Sequence, residues 1–231
     1  MPSPTPLVVM PGTGSDADYC ERAFGPAARA AGLPLIALEP GGDLVTDYLS
    51  ALDDASRSGP VLAGGFSIGA AVATTWALRA GPQRCAGVWA VLPPWSGTPV
   101  RSPAAASATV TADALERDGL DATIAAMAAD SPPWLADELA RSWSRLYPGL
   151  IGQLRAAAAL VGPTVDELAQ LRVPLAVVVS DDDPIHPRAV GEQWAAAAER
   201  SAVRSTTLDA WVREPALLGR LARDAWTEAA G

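Results

Sequence analysis

The chain contains no lysine and no asparagine; its positive charge is carried by 17 arginines against 26 acidic side chains. A net charge of −9 leaves little to neutralise phosphates, which disfavours a nucleic-acid partner, an anionic membrane surface and a polyanionic substrate. Cysteine occurs only at Cys20 and Cys85, without motif spacing, so both are expected as buried structural thiols rather than parts of a disulfide framework. No apolar run approaches the roughly 18 residues of a membrane span, and the first residues lack the basic region and apolar core of a secretory signal. A soluble, cytoplasmic protein is therefore expected. Histidine occurs once, at His186. A His-rich metal site is excluded, and any imidazole catalysis rests on that residue. No metal and no cofactor is expected, the expected partner is a small-molecule substrate, and nothing in the sequence speaks to oligomeric state.

With 49% apolar and 19% charged residues, the 231-residue chain has the composition of a folded domain rather than a disordered one. Short apolar runs at residues 7–10, 35–38, 60–64, 86–92, 173–179 and 203–208 read as buried strands. Amphipathic stretches at 18–31, 43–56, 68–79, 188–199 and 215–228 read as the helices between and after them. This alternation predicts an α/β three-layer sandwich on a mainly parallel six-stranded sheet, in the order 2-1-3-4-5-6. The 80 residues between Leu92 and Val173 exceed any simple crossover. They read as helices punctuated by Gly119, Pro132-Pro133, Pro148-Gly149 and Gly162-Pro163, with a capping box at Thr164-Val165-Asp166-Glu167. The predicted organisation is a core of residues 1–92 and 173–231 carrying a helical cap insertion, 93–172.

The strongest chemical signal is Gly65-Phe66-Ser67-Ile68-Gly69, a G-x-S-x-G pattern between a predicted strand and a predicted helix. Such a turn is strained and lifts the serine hydroxyl above the sheet edge, and glycine on either side removes Cβ atoms that would clash. With this motif the sequence resembles the α/β-hydrolase superfamily. Two further stretches carry the resemblance. Val8-Val9-Met10-Pro11-Gly12-Thr13 is similar to the family's oxyanion loop, with Pro11 in place of the usual histidine. Val178-Val179-Ser180-Asp181-Asp182-Asp183-Pro184-Ile185-His186-Pro187 is similar to its acid loop, with Ser180 in place of glycine. The resemblance implies an acid at Asp183, a helical cap where the long insertion lies, and an oxyanion donor at the Thr13 N–H. The elbow itself implies the second donor, the Ile68 N–H.

The family's histidine belongs in the loop after the last strand, which here reads Leu208-Asp209-Ala210-Trp211-Val212 and has none. His186, three residues after Asp183 at the C-terminal end of a strand, is the one substitute, with Asp183, Asp182 or Asp209 available to orient it. Within the insertion, Trp95, Trp134, Trp143 and Tyr147 are candidates for walling a substrate pocket. The expected function is a serine hydrolase of a neutral or apolar ester, thioester or amide, acting through an acyl-enzyme on Ser67. One alternative is a protein of the same fold with a degenerate triad, working as a lyase, isomerase or small-molecule binder. Another is a dinucleotide-binding protein, because Gly12-Thr13-Gly14-Ser15-Asp16-Ala17 matches G-x-G-x-x-A and Glu39 could meet a ribose, although Asp16 and Asp18 would repel a pyrophosphate there.

Overall fold

The computed structural model describes residues 5–129 and 131–231. Six strands form one sheet: β1 (Leu7–Met10), β2 (Leu35–Ala37), β3 (Val61–Phe66), β4 (Cys85–Val91), β5 (Leu175–Ser180) and β6 (Ser201–Thr206). Their order is β2-β1-β3-β4-β5-β6 and every neighbouring pair is parallel, as the alternating pattern predicts.

The near-continuous apolarity of the strands has a direct cause, since both faces of the sheet are covered. On one face Val8, Met10, Ala63, Val88, Ala90, Val177 and Val179 pack under α2 (Leu44–Ala55), α3 (Ile68–Ala80) and α8 (Arg188–Ala197). On the other, Leu7, Val9, Leu62, Trp89, Val91 and Val178 pack under α1 (Ala17–Ala30) and α10 (Ala216–Ala230). The period-two alternation is thus present but both phases are buried. Trp89 and Trp194 are fully enclosed, and burial of side chains this large contributes roughly 1.5–3 kcal/mol each.

Between β4 and β5 lie α4 (Pro103–Ala129), α5 (Pro133–Leu146), α6 (Gly149–Ala159) and α7 (Val165–Leu168), and the described residues there form no strand. α4 starts at Pro103 because Ser102 caps it through the Ala105 N–H and Pro103 fits the first turn. It breaks at Gly119, whose φ of 77° is outside the helical region. α7 begins at the expected capping box: Thr164 and Glu167 satisfy each other's backbone N–H groups. α4, α5 and α6 share a small apolar cluster, including Leu115, Trp143, Leu146, Leu150 and Leu154, separate from the two sheet-face clusters. After β6 the expected loop is instead a short helix, α9 (Leu208–Arg213). No helix among the described residues is long and apolar enough to cross a membrane.

Candidate active site

Ser67 occupies the one-residue junction between β3 and α3, with φ 56° and ψ −121°. A non-glycine residue in this region costs on the order of 1–3 kcal/mol and persists only where the surroundings impose it. Here they do. An added Cβ on Gly65 would lie 2.3 Å from the Met10 carbonyl oxygen, and one on Gly69 would lie 2.2 Å from the same atom. Glycine on both sides of the serine lets β1, β3 and α3 close on a single point. The turn is completed by hydrogen bonds from the Ser67 N–H to the Val91 carbonyl, 3.0 Å, and from the Ala71 N–H to the Ser67 carbonyl, 3.2 Å.

His186 and Asp183 come from the loop that follows β5. Asp183 closes the loop on itself: its Oδ1 accepts from the Ile185 N–H at 2.8 Å and the His186 N–H at 3.2 Å. Its Oδ2 lies 2.8 Å from His186 Nδ1. The far side of the ring reaches the elbow, with Nε2 2.9 Å from Ser67 Oγ. A carboxylate offers no proton, so Nδ1 carries the hydrogen and Nε2 is left to accept from the serine hydroxyl. Burial alone would push the Asp183 carboxyl up. The hydrogen bond from His186, its charge and the two loop N–H groups outweigh burial and hold the carboxyl below its ordinary value.

The remaining acids of this loop point elsewhere. Asp181 pairs with Arg188. Asp182 Oδ1 accepts from the Leu208 N–H at 2.6 Å and the Ser180 hydroxyl at 3.2 Å, binding the loop to the start of α9. Asp209 pairs with Arg213 in solvent at 2.8 Å. Of the three carboxylates open to the histidine from sequence, only Asp183 meets it.

Ser67 and His186 face a cavity of about 510 Å3, within the range of small-molecule sites. Thr13 lines it. Neither the Thr13 N–H nor the Ile68 N–H, the first of α3, has a hydrogen-bond partner among the described residues. The wall opposite the serine is built mainly by α4 and α5 through Ala108, Met127, Trp134, Leu135, Leu139 and Trp143, while Trp211 of α9 packs edge-on to Trp134 with ring centroids 6.3 Å apart. Trp134 and Trp143 therefore lie where a pocket role requires. Trp95 and Tyr147 do not, which corrects the expectation for both. Trp95 turns into the core and its Nε1–H donates to the Leu160 carbonyl at 3.2 Å. Tyr147 would share a face with Trp143 if α5 continued, but the helix ends at Leu146, and Tyr147 is extended and 38% exposed.

The dinucleotide reading meets a physical obstacle. The first turn of α1 is already filled by carboxylates: Asp16 accepts from the Tyr19 N–H at 3.1 Å and Glu39 from the Ala17 N–H at 3.0 Å. A pyrophosphate would need those donors. Asp16 is fully buried and accepts from both terminal guanidinium nitrogens of Arg141, at 2.7 and 3.0 Å. Sequence reasoning did not reach Arg141, Glu138 or Ser142 of α5; their partners lie more than a hundred residues away, and no local pattern announces them. Both cysteines are buried and free, as expected, and burial pushes the Cys85 thiol up to about 11.

No family model matches the chain, and no curated relative does. Solved structures match over nearly its whole length. A thermophilic esterase from Thermogutta terrifontis is 18% identical, with 98% of this chain and 91% of that one covered and a TM-score of 0.71. A hydrolase from Pseudomonas aeruginosa PA01 is 22% identical over 94% and 88%, with a TM-score of 0.67. The enol-lactonase from Burkholderia xenovorans LB400 is 16% identical over 93% and 91%, with a TM-score of 0.65. With a parallel sheet in this order, a strained serine turn after β3 and these structural neighbours, the chain has the fold of the α/β-hydrolase superfamily.

Proposed function

We propose that the protein is a serine hydrolase acting on a neutral, largely apolar carboxylic ester, thioester or amide. The observation that carries this reading is the unbroken chain of contacts from Ser67 Oγ to His186 Nε2, 2.9 Å, and from His186 Nδ1 to Asp183 Oδ2, 2.8 Å, at the floor of an apolar cavity. A histidine three residues after the acid takes the place of one in the β6–α9 loop, so the absence of histidine there no longer argues for a degenerate triad.

In the reaction, His186 Nε2 takes the Ser67 proton as Oγ bonds to the substrate carbonyl carbon. The carbonyl electron pair moves onto oxygen, and the resulting oxyanion lies against the N–H groups of Ile68 and Thr13. Asp183 holds the ring in the productive tautomer and stabilises the imidazolium. Collapse of the intermediate expels the alcohol, thiol or amine, which takes the proton from Nε2 and leaves the acyl group on Ser67. Water then repeats the sequence and releases the acid. The apolar walls, including Trp134 and Trp143, take up the hydrocarbon part of the substrate.

A fluorophosphonate probe tests this reading. Phosphorus bonds to Ser67 Oγ as fluoride leaves and His186 takes the proton. Wild-type protein should be labelled at Ser67 and should hydrolyse p-nitrophenyl butyrate, while Ser67→Ala should do neither and keep its fold. Equal labelling of both proteins, or none of the wild type, would overturn it.

A further inference from the structure

α5 does more than roof the cavity: consecutive residues on it hold the loop that presents the Thr13 amide. The loop is a tight turn closed by the Ser15 N–H on the Gly12 carbonyl at 3.0 Å. The Ser142 hydroxyl, on a residue only 1% exposed, donates to the Gly14 carbonyl at 2.5 Å. A serine inside a helix ordinarily returns its hydroxyl to its own preceding turn; here the contact to Leu139, 3.2 Å, is the longer one. Trp143 lies over Gly14 so closely that a Cβ there would sit 2.6 Å from the indole nitrogen. Arg141 takes the buried Asp16 carboxylate with a two-pronged contact. The loop's shape, and so the direction of the Thr13 N–H, is held from across the cavity.

We propose that Ser142 and Arg141 are positioning residues for the oxyanion donor at Thr13, so that the roof of the cavity also sets the geometry of the oxyanion hole. This rests on the acyl-transfer reading above. A residue that only walled the pocket would affect ground-state binding, whereas one that aims an oxyanion donor affects the transition state alone.

The test compares wild type, Ser142→Ala, Ser142→Thr and Arg141→Lys in p-nitrophenyl butyrate hydrolysis and in inhibition by an alkyl trifluoromethyl ketone. The ketone adds Ser67 Oγ to its carbonyl carbon, passes the serine proton to His186 and leaves an oxyanion in the same hole. Ser142→Ala should lower kcat by about tenfold to 10²-fold, in line with loss of an oxyanion donor. KM should stay within about twofold, ketone affinity should fall by the same factor as kcat/KM, and the pH profile should not move. Ser142→Thr keeps the hydroxyl and should restore most of the loss. Arg141→Lys keeps the charge but loses the paired geometry, and should give a smaller loss in the same proportion; it also serves as the test if Ser142→Ala does not fold. Unchanged kcat in Ser142→Ala or, failing its folding, in Arg141→Lys, or a loss confined to KM, would overturn the positioning role and leave the hydrolase reading standing. A wild-type protein that neither hydrolyses the ester nor binds the ketone would overturn both.

Discussion

The floor and the roof of the cavity are held by different forces. The floor is the C-terminal edge of the sheet, where Ser67 is fixed by backbone packed so closely that Gly65 and Gly69 both abut one carbonyl oxygen. The roof, α4 to α6, has its own small apolar cluster and is fastened to α1 and its N-cap, and to the chain just after β2, by arginine–carboxylate pairs: Arg141–Asp16, Arg145–Asp16 and Arg22–Glu138 to the first, Arg145–Glu39 to the second. Steric closeness admits no adjustment, whereas ionic pairing is screened by salt and tolerates small displacements. The proposed reacting groups sit on the unyielding side, and the surface proposed to meet the substrate's hydrocarbon part on the compliant one.

The sharpest way to break this contrast is at the floor's chemistry. His186→Gln should reduce kcat by on the order of 10³-fold or more while leaving the melting temperature nearly unchanged, because nucleophile and base act as a unit. Asp183→Asn should also be severe, since an amide can turn the ring to the wrong tautomer.

A matched pair of glycine substitutions compares the two regions directly. Gly69→Ala on the floor would place a methyl group 2.2 Å from the Met10 carbonyl oxygen and should cost about 3 kcal/mol in urea unfolding. Gly152→Ala in α6 meets nothing within 4 Å and should instead stabilise the protein by about 0.5–1 kcal/mol through helix propensity. Two losses of similar size would mean that the roof is as tightly constrained as the floor.

Smaller effects should follow at the ionic fastening. Arg141→Met leaves the buried Asp16 carboxylate with the longer Arg145 contact, 3.3 Å, in place of the Arg141 pair, but the Arg141 side chain is 36% exposed. Solvent screening reduces the usual cost of breaking a buried pair, to about 1–2 kcal/mol. Calorimetry of the wild type in rising salt should show the same weakening in miniature. The smallest effect concerns acid. The Asp183 and Asp16 carboxyls are each held below the ordinary value of 3.8 in spite of burial, by His186 and loop N–H groups in one case and by Arg141 and the Tyr19 N–H in the other. Both contributions are present above that value and are lost as pH falls through the lowered folded-state values. Asp183→Asn should therefore flatten the acid limb of the stability curve, and an unaltered limb would remove Asp183 from this account.

The parts of the molecule legible in the sequence are those set by local chemistry. Apolar runs that alternate with amphipathic ones dictated a parallel sheet covered on both faces, and the handedness of the crossovers left one strand order. The Gly-x-Ser-x-Gly turn announced its own strain. Asp183 and His186 belong to one short loop, so a pairing between them was among the arrangements the sequence left open once the chain was seen to hold a single histidine. What only the tertiary structure decided involves partners distant in sequence. The gap from Ser67 to His186 spans 119 positions and closes at 2.9 Å because β3 and β5, both neighbours of β4, end at the same sheet edge. The choice among Asp182, Asp183 and Asp209 fell to where each side chain finds its partner in the fold: the Leu208 N–H, His186 and Arg213 respectively. The fate of the four aromatics turned on where α5 ends and how the chain turns after Pro94. The grip of Arg141 and Ser142 on residues 14–16 had no signature at all, since a charge or hydroxyl on a helix names no partner until packing supplies one.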